Sequence, residues 1–176
     1  HRPGLRGRQL MAMVLVLLVV LSAPLQAAIT TALVRDPLAA PVIPVVLVAA
    51  WGAVRRPDET WPAILLPAVV LGVASEERVG WFLLALLPAP LIATLGAKRF
   101  KRHATGFWRR VTTAGLAAGA AAACYGTVLA LAGGLLGELP ERSGALLAAA
   151  TESGVLAVLV ALCLWPFRPR QRGLFE

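Results

Sequence analysis

The sequence predicts an all-α integral membrane protein, six transmembrane helices in a single bundle with both termini in the cytoplasm. Three observations lead there. Of 176 residues, 59% are hydrophobic and 15% charged, with a mean hydropathy of +0.77, more apolar than a water-soluble domain of this size needs to fill a core. The apolar residues gather into six runs, near 10–29, 37–54, 61–75, 80–96, 111–136 and 143–167, each close to the roughly 17–25 residues that cross a hydrocarbon layer. Finally, the basic residues between the runs alternate from rich to poor, as they do when successive loops lie on opposite sides of a membrane.

Each run has its own signals. Arg2, Arg6 and Arg8 precede the first, an arrangement shared with secretory signal peptides; we take it as a transmembrane helix. Arg35 and Asp36 lead to the second run, which holds Pro41 and Pro44 and ends on Trp51 before Arg55 and Arg56. The third is short, starts at Trp61, contains Pro67 and closes on Glu76, Glu77 and Arg78. The fourth carries Trp81, Pro88 and Pro90 and leads into AKRFKRHATGFWRR, residues 97–110. The fifth, the longest, includes GLAAGAAAACYG, and the connection GELPERSG joins it to the sixth, which ends at Trp165 before Arg168, Arg170 and Arg172. Tryptophans at run ends suit the headgroup level, where a ring that is apolar but carries an N–H donor is favoured. Prolines within runs two to four remove intrahelical hydrogen bonds and predict kinked or broken spans.

The charges set the orientation. Fourteen of the 17 Lys and Arg residues fall in the N-terminal tail, the second and fourth loops and the C-terminal tail; Arg35, Arg78 and Arg142 occupy the other side, each beside an acid. That asymmetry predicts cytoplasmic ends. The six basics of the fourth loop, Lys98, Arg99, Lys101, Arg102, Arg109 and Arg110, with Phe100, Phe107 and Trp108, would alone suit a nucleic-acid backbone. Between two membrane runs they predict a cytoplasmic loop facing anionic lipid or a protein partner, and no nucleic acid.

Signs of catalysis are missing. Cys124 and Cys163 lie inside predicted helices far from any Cys-x-x-Cys spacing and are expected to be small buried residues, neither disulfide nor metal site. His1 and His103 have no second ligand nearby. No Gly-rich phosphate loop and no paired acidic motif is present. We expect no enzyme, no cofactor and no metal.

Two polar residues fall deep in the apolar runs. Glu152 follows Arg142 by ten residues and precedes Arg168 by sixteen, and a carboxyl at that depth is a functional-site hypothesis by default. Tyr125 is the chain's single tyrosine. An antiparallel connection between runs five and six would bring the two to similar depth, as an intramembrane polar pair. One reading is an internal hydrogen bond from Glu152 to Thr151, Ser153 or Tyr125; the other is direct binding of a cation, a polar solute or a partner subunit's helix. Gly115 and Gly119 form a Gly-x-x-x-Gly pair, continued by Ala123, which predicts close helix packing within the bundle, with a contact to another chain as the alternative.

The stretch AVRRPDETWPAILLPAVVLGVASEERVGWFLLALLPAPLIATLGAKRFKR, residues 53–102, together with the six-span layout, resembles the rod shape-determining MreD family. The shared pattern is a basic cytoplasmic turn, an apolar helix with a Gly step at Leu71-Gly72, an acidic turn at Ser75-Glu76-Glu77, then Gly80 and a Leu-rich helix leading to a second basic loop. Pro67 and AVVLGVAS stand where that family carries more glycine. The resemblance implies a fold like that of the substrate-binding S-components of energy-coupling-factor transporters. It also implies a structural function in the bacterial cytoplasmic (inner) membrane: binding the bitopic protein MreC and helping to couple MreB filaments to peptidoglycan synthesis by RodA and its penicillin-binding transpeptidase. The competing expectation is an S-component-like solute-binding subunit, whose pocket would draw on Gln26, Thr30, Tyr125, Thr127, Thr151 and Glu152.

Overall fold

The computed structural model describes residues 3–32, 37–55, 60–74, 79–100 and 106–167, and among them there is no strand. The described residues form seven α-helices and short 3-10 turns: α1 (Pro3–Ala32), α2 (Ile43–Val54), α3 (Leu65–Ala74), α4 (Val79–Leu86), α5 (Pro88–Phe100), α6 (Phe107–Ala132) and α7 (Leu139–Leu164). They fall where the six apolar runs lie. The stretch Met13–Thr30 of α1, and α6 and α7 whole, are long and apolar enough to cross a membrane. The 26 residues of α6 or α7 extend to about 39 Å. By contrast Ile43–Val54, Pro62–Val73 and Val79–Leu95 are shorter apolar helical stretches.

Proline accounts for the short pieces. The second run begins as a 3-10 turn at Pro37–Ala39, unwinds around Pro41 and becomes helical at Ile43, with Pro44 in the first turn of α2, where its missing N–H costs nothing. A second 3-10 turn, Pro62–Ile64, opens the third run. The fourth run breaks at Leu87, where Pro88 begins α5; the last bond of α4 runs from the Leu87 N–H to the Leu83 carbonyl at 3.0 Å.

The bundle is built around α2, which packs against α1, α5, α6 and α7, while α3 joins α1 to α4 on one side. Nine of its twelve residues are buried. Small side chains, Ala and Val, make up the clusters between α2, α6 and α7, while Leu15, Trp51, Phe82, Leu86 and Tyr125 fill the larger cluster beside them. Along α7 the buried residues are Ala149, Ser153, Ala157 and Ala161, a four-residue stripe of small groups; Ala157 shares a buried cluster with Val46 and Ala49 of α2, and Ala161 one with Ala50 and Val54. Many other large apolar side chains point outward. Leu17 and Leu21 on α1, Leu66 and Val73 on α3, Leu84 on α4, Leu116 on α6 and Leu147 and Leu159 on α7 are all exposed, Leu116 by 76%. An apolar exterior with small-residue seams between α2, α6 and α7 is the pattern of a bundle whose solvent is lipid, because tight backbone approach then contributes to holding the helices together.

The C-terminus of α2, the N-terminus of α6 and the C-terminus of α7 meet at one end, in a cluster of Ala50, Val54, Ala114 and Ala161 with Trp165 against it. There the Phe107 ring packs edge-on against Trp165, with centroids 4.6 Å apart. At the other end the α6–α7 connection turns through Gly134, whose φ of 72° favours glycine.

Several boundaries differ from expectation. Both α6 and α7 start four residues before the predicted runs. Arg109 and Arg110 therefore sit in the first turn of α6, and Lys98 and Arg99 in the last turn of α5; Lys101 and Arg102 lie outside the described residues. The expected loop is thus largely helix. The reason is that a chain near a membrane keeps its backbone groups bonded internally as far as it can. Trp51, expected at an interface, is instead buried in the core at 3% exposure, with the Arg55 guanidinium 5.1 Å from its ring centroid. Cys124 and Cys163, expected to be buried, are exposed on outward faces.

Candidate functional site

The break in the second run is the first place to look for a site, since an unwound span frees backbone groups that can hold a solute. At the start of α2 two N–H donors have no helical partner. The Val42 N–H donates to Ser153 Oγ on α7 at 3.0 Å. The Ile43 N–H donates to Gln26 Oε1 on α1 at 2.8 Å, and the next residue, Pro44, has no donor. Gln26 and Ser153 are themselves buried, at 3% and 0% exposure. Side chains of two other helices therefore occupy both donors, each bond worth roughly 0.5–1.5 kcal/mol net and each donor costing roughly 1–3 kcal/mol if stripped of its acceptor. From the sequence, Gln26 is a candidate pocket group of the solute-binding alternative and Ser153 a candidate hydrogen-bond partner for Glu152; the structure uses both instead to cap α2. The readable signal was the stripe Ala149, Ser153, Ala157, Ala161, in which one hydroxyl interrupts a row of alanines.

Serine 153 is at the middle of α7, so α2 starts halfway along that helix and runs beside its second half toward the Trp165 end.

The seam between α6 and α7 holds Gly115 and Gly119. A Cβ built on Gly115 would stand 2.8 Å from Val158 Cγ2 and 3.1 Å from the Gly154 carbonyl oxygen. One on Gly119 would stand 3.0 Å from the Ala150 carbonyl oxygen. The pair thus faces α7 of the same chain, and the missing Cβ atoms set the spacing of the two backbones. Gly154 returns the contact, its own Cβ position lying 3.1 Å from the Gly115 carbonyl oxygen.

That register separates the two residues expected to meet. With Gly115 opposite Gly154 and Gly119 opposite Ala150, the antiparallel pairing carries Tyr125 toward residue 144 and places Glu152 opposite residue 117. The offset is eight residues, about 12 Å along the axis. Tyr125 is buried in the cluster that includes Val19, Phe82 and Leu86, on α6's side away from α7, whereas Glu152 is exposed. The predicted polar pair is not formed. Consecutive helix residues point about 100° apart, so with Ser153 turned inward to α2, Glu152 turns out.

Glu152 therefore stands on the outer face of α7 with Thr151, Val155 and Leu156, lining a shallow groove open to the surroundings. Its neighbour Thr151 is satisfied locally, its hydroxyl 2.9 Å from both the Leu147 and Ala148 carbonyl oxygens. Other hydroxyls do the same: Ser22 donates to the Val19 carbonyl at 2.7 Å and Thr127 to the Ala123 carbonyl at 2.8 Å. Serine and threonine can be carried in apolar helices by such back-bonding. A carboxylate, an acceptor only, has no such route to the carbonyls of its own helix.

The basic residues form a further feature at the Trp165 end. Arg109 and Trp108 are exposed there, Trp108 by 70%, and the Phe107 ring bridges Trp108 and Trp165 at 4.9 and 4.6 Å. Among the described residues no group of three or more His, Cys, Asp or Glu side chains comes together to hold a metal. No protein-family model, no curated protein and no solved structure matches the chain.

Proposed function

We propose that the chain is a non-catalytic scaffold of a bacterial cytoplasmic membrane, crossing it six times with both ends in the cytoplasm and acting through the outer faces of its helices. The observation that carries this reading is where the polar groups point. The donors at the break that opens α2 are taken up by Gln26 and Ser153, while the mid-helix ionisable group of α7, Glu152, faces outward. A bundle arranged so offers its chemistry to another helix and not to a solute inside. The charge asymmetry of the connections supports six spans, and the sharing of one end by α2, α6 and α7 termini, with Arg55, Arg109 and Arg110 there, agrees with it.

The resemblance of residues 53–102 to MreD-type proteins supplies the system in which such a scaffold works. The partners would be an MreC-like bitopic protein and the wall-synthesis enzymes RodA and its penicillin-binding transpeptidase. MreB would lie on the cytoplasmic side, and anionic lipid would lie against Arg109, Arg110 and the neighbouring basics. The solute-binding alternative draws its support from the unwound start of the second run; it is weakened because Tyr125 and Glu152 are about 12 Å apart along the bundle and Gln26 is engaged.

The test is extraction of the tagged chain from its native membrane in mild detergent, followed by mass spectrometry. Recovery of a single-span protein with a large external domain together with wall-synthesis enzymes is the expected result. Recovery of two ATPases and a coupling subunit would replace the scaffold with a transporter component.

A further inference from the structure

Glu152 lies thirteen residues after the start of α7 and twelve before its end, so it is about 18–20 Å from either terminus. It is the midpoint of the helix. Around it the same outward face carries Leu147, Val155, Leu156 and Leu159, all exposed and all apolar. Among the described residues no hydrogen bond or ion pair reaches its carboxylate, and none is available at that depth. Arg142, the nearest basic residue of α7, is ten positions away, with Nη2 2.8 Å from a Glu138 carboxylate oxygen. On α6 the only basic residues are Arg109 and Arg110 in the first turn, and α1 has none after Arg8.

An acid at the centre of a membrane helix costs roughly 2.5–3.5 kcal/mol on insertion scales. That cost is tolerated when a partner at the same depth offsets it, and none lies among the described residues. We infer that the α7 face centred on Glu152 is a docking surface for a single transmembrane helix of another protein that presents a Lys or Arg at mid-membrane depth. The inference deepens the scaffold reading and rests on it, naming the chemistry by which a partner is recognised. Charge complementarity selects this occupant over the others. A second copy of the chain would set acid against acid, since no span of it carries a basic residue at that level. Lipid headgroups lie at the surfaces, out of reach of a side chain at the midpoint. The open groove between Thr151, Glu152, Val155 and Leu156 gives a long basic side chain a place to lie along α7.

The experiment uses the full chain, donor-labelled, in phosphatidylcholine vesicles with acceptor-labelled synthetic helices of 21 Leu and Ala residues carrying a central Lys, Leu or Glu. Energy transfer to the Lys helix is expected to saturate at a surface density at least tenfold lower than transfer to the Leu helix. Glu152→Leu should erase that preference, and Glu152→Lys should transfer it to the Glu helix. Both substitutions sit on an exposed face, and the second gains a function, so neither result reduces to misfolding. Equal transfer to Lys and Leu helices, or a preference that survives Glu152→Leu, would overturn the inference. So would stronger transfer between two copies of the chain than to the Lys helix, which would make the face a self-association surface. No wall-synthesis protein is present in the vesicles, so the outcome is independent of the co-purification that tests the scaffold itself.

Discussion

Replacing Ser153 by Ala removes one oxygen from the centre of the bundle and leaves almost everything else in place. The oxygen accepts the Val42 N–H at 3.0 Å, the site is wholly buried, and the methyl that remains fills most of the same space. The substitution therefore strands a backbone donor without opening a cavity of note. A buried unsatisfied donor costs roughly 1–3 kcal/mol, which lowers the ratio of folded to unfolded protein about fivefold to 150-fold. The matching change on α1, Gln26→Leu, strands the Ile43 N–H and is expected to fall in the same range. Because both donors belong to one helix start, fraying of that turn after the first loss relieves the second, and the double variant should lose less than the sum of the two. The assay is equilibrium unfolding in mixed micelles with increasing dodecyl sulfate, followed by Trp51 fluorescence in a background with Trp61, Trp81, Trp108 and Trp165 replaced by Phe, since the Trp51 ring is buried within the core around α2. Thr151→Ala is the control, because its hydroxyl only returns to carbonyls of its own turn, and it should stay within about 0.5 kcal/mol of the parent. If Ser153→Ala also stays within that margin, the start of α2 is not held as described, and the case that the break is sealed against solute goes with it.

Three further outcomes are expected. Gly119→Ala should destabilise by about 1–3 kcal/mol in the same unfolding assay, because the new Cβ would meet a backbone oxygen at 3.0 Å that has no rotamer by which to yield; Leu116→Ala on the outward face should be close to neutral. Nitroxide labels on Cys124 and Cys163, both exposed, should be relaxed more by dissolved oxygen than by a polar nickel chelate in vesicles. The ratio should be greater at Cys124, which lies eight residues inside the end of α6, than at Cys163, one residue from the end of α7. With the native cysteines replaced, a single cysteine at His103 should react with impermeant maleimide only from the cytoplasmic side and one at Glu77 only from the other, and labelling of both from one side would refute the six-span arrangement.

Six apolar runs located the helical stretches because hydropathy is a sum over neighbours in sequence, and the prolines at 41, 44, 88 and 90 marked the breaks because each removes a donor wherever the chain goes. The early starts of α6 and α7 were not legible, since a charged residue such as Arg109 or Glu141 reads as loop while the backbone continues its helix. Trp51 was misplaced for a related reason: its position at the end of a run says nothing about whether the helix is central or peripheral, and α2 is central.

What the sequence by itself determined is therefore an all-helical chain apolar enough for a membrane, with three spans weakened by proline and one acid that has no cation at its depth. What only the tertiary structure decided is direction. Tyr125 and Glu152 were read as a pair because both lie deep, and they face apart because the α6–α7 register is set by Gly115, Gly119 and Gly154. The caps of α2 come from residues 17 and 111 positions away, beyond any local pattern. An acid 100° around a helix from a buried serine faces outward, and which of the two turns inward depends on the neighbour that packs there.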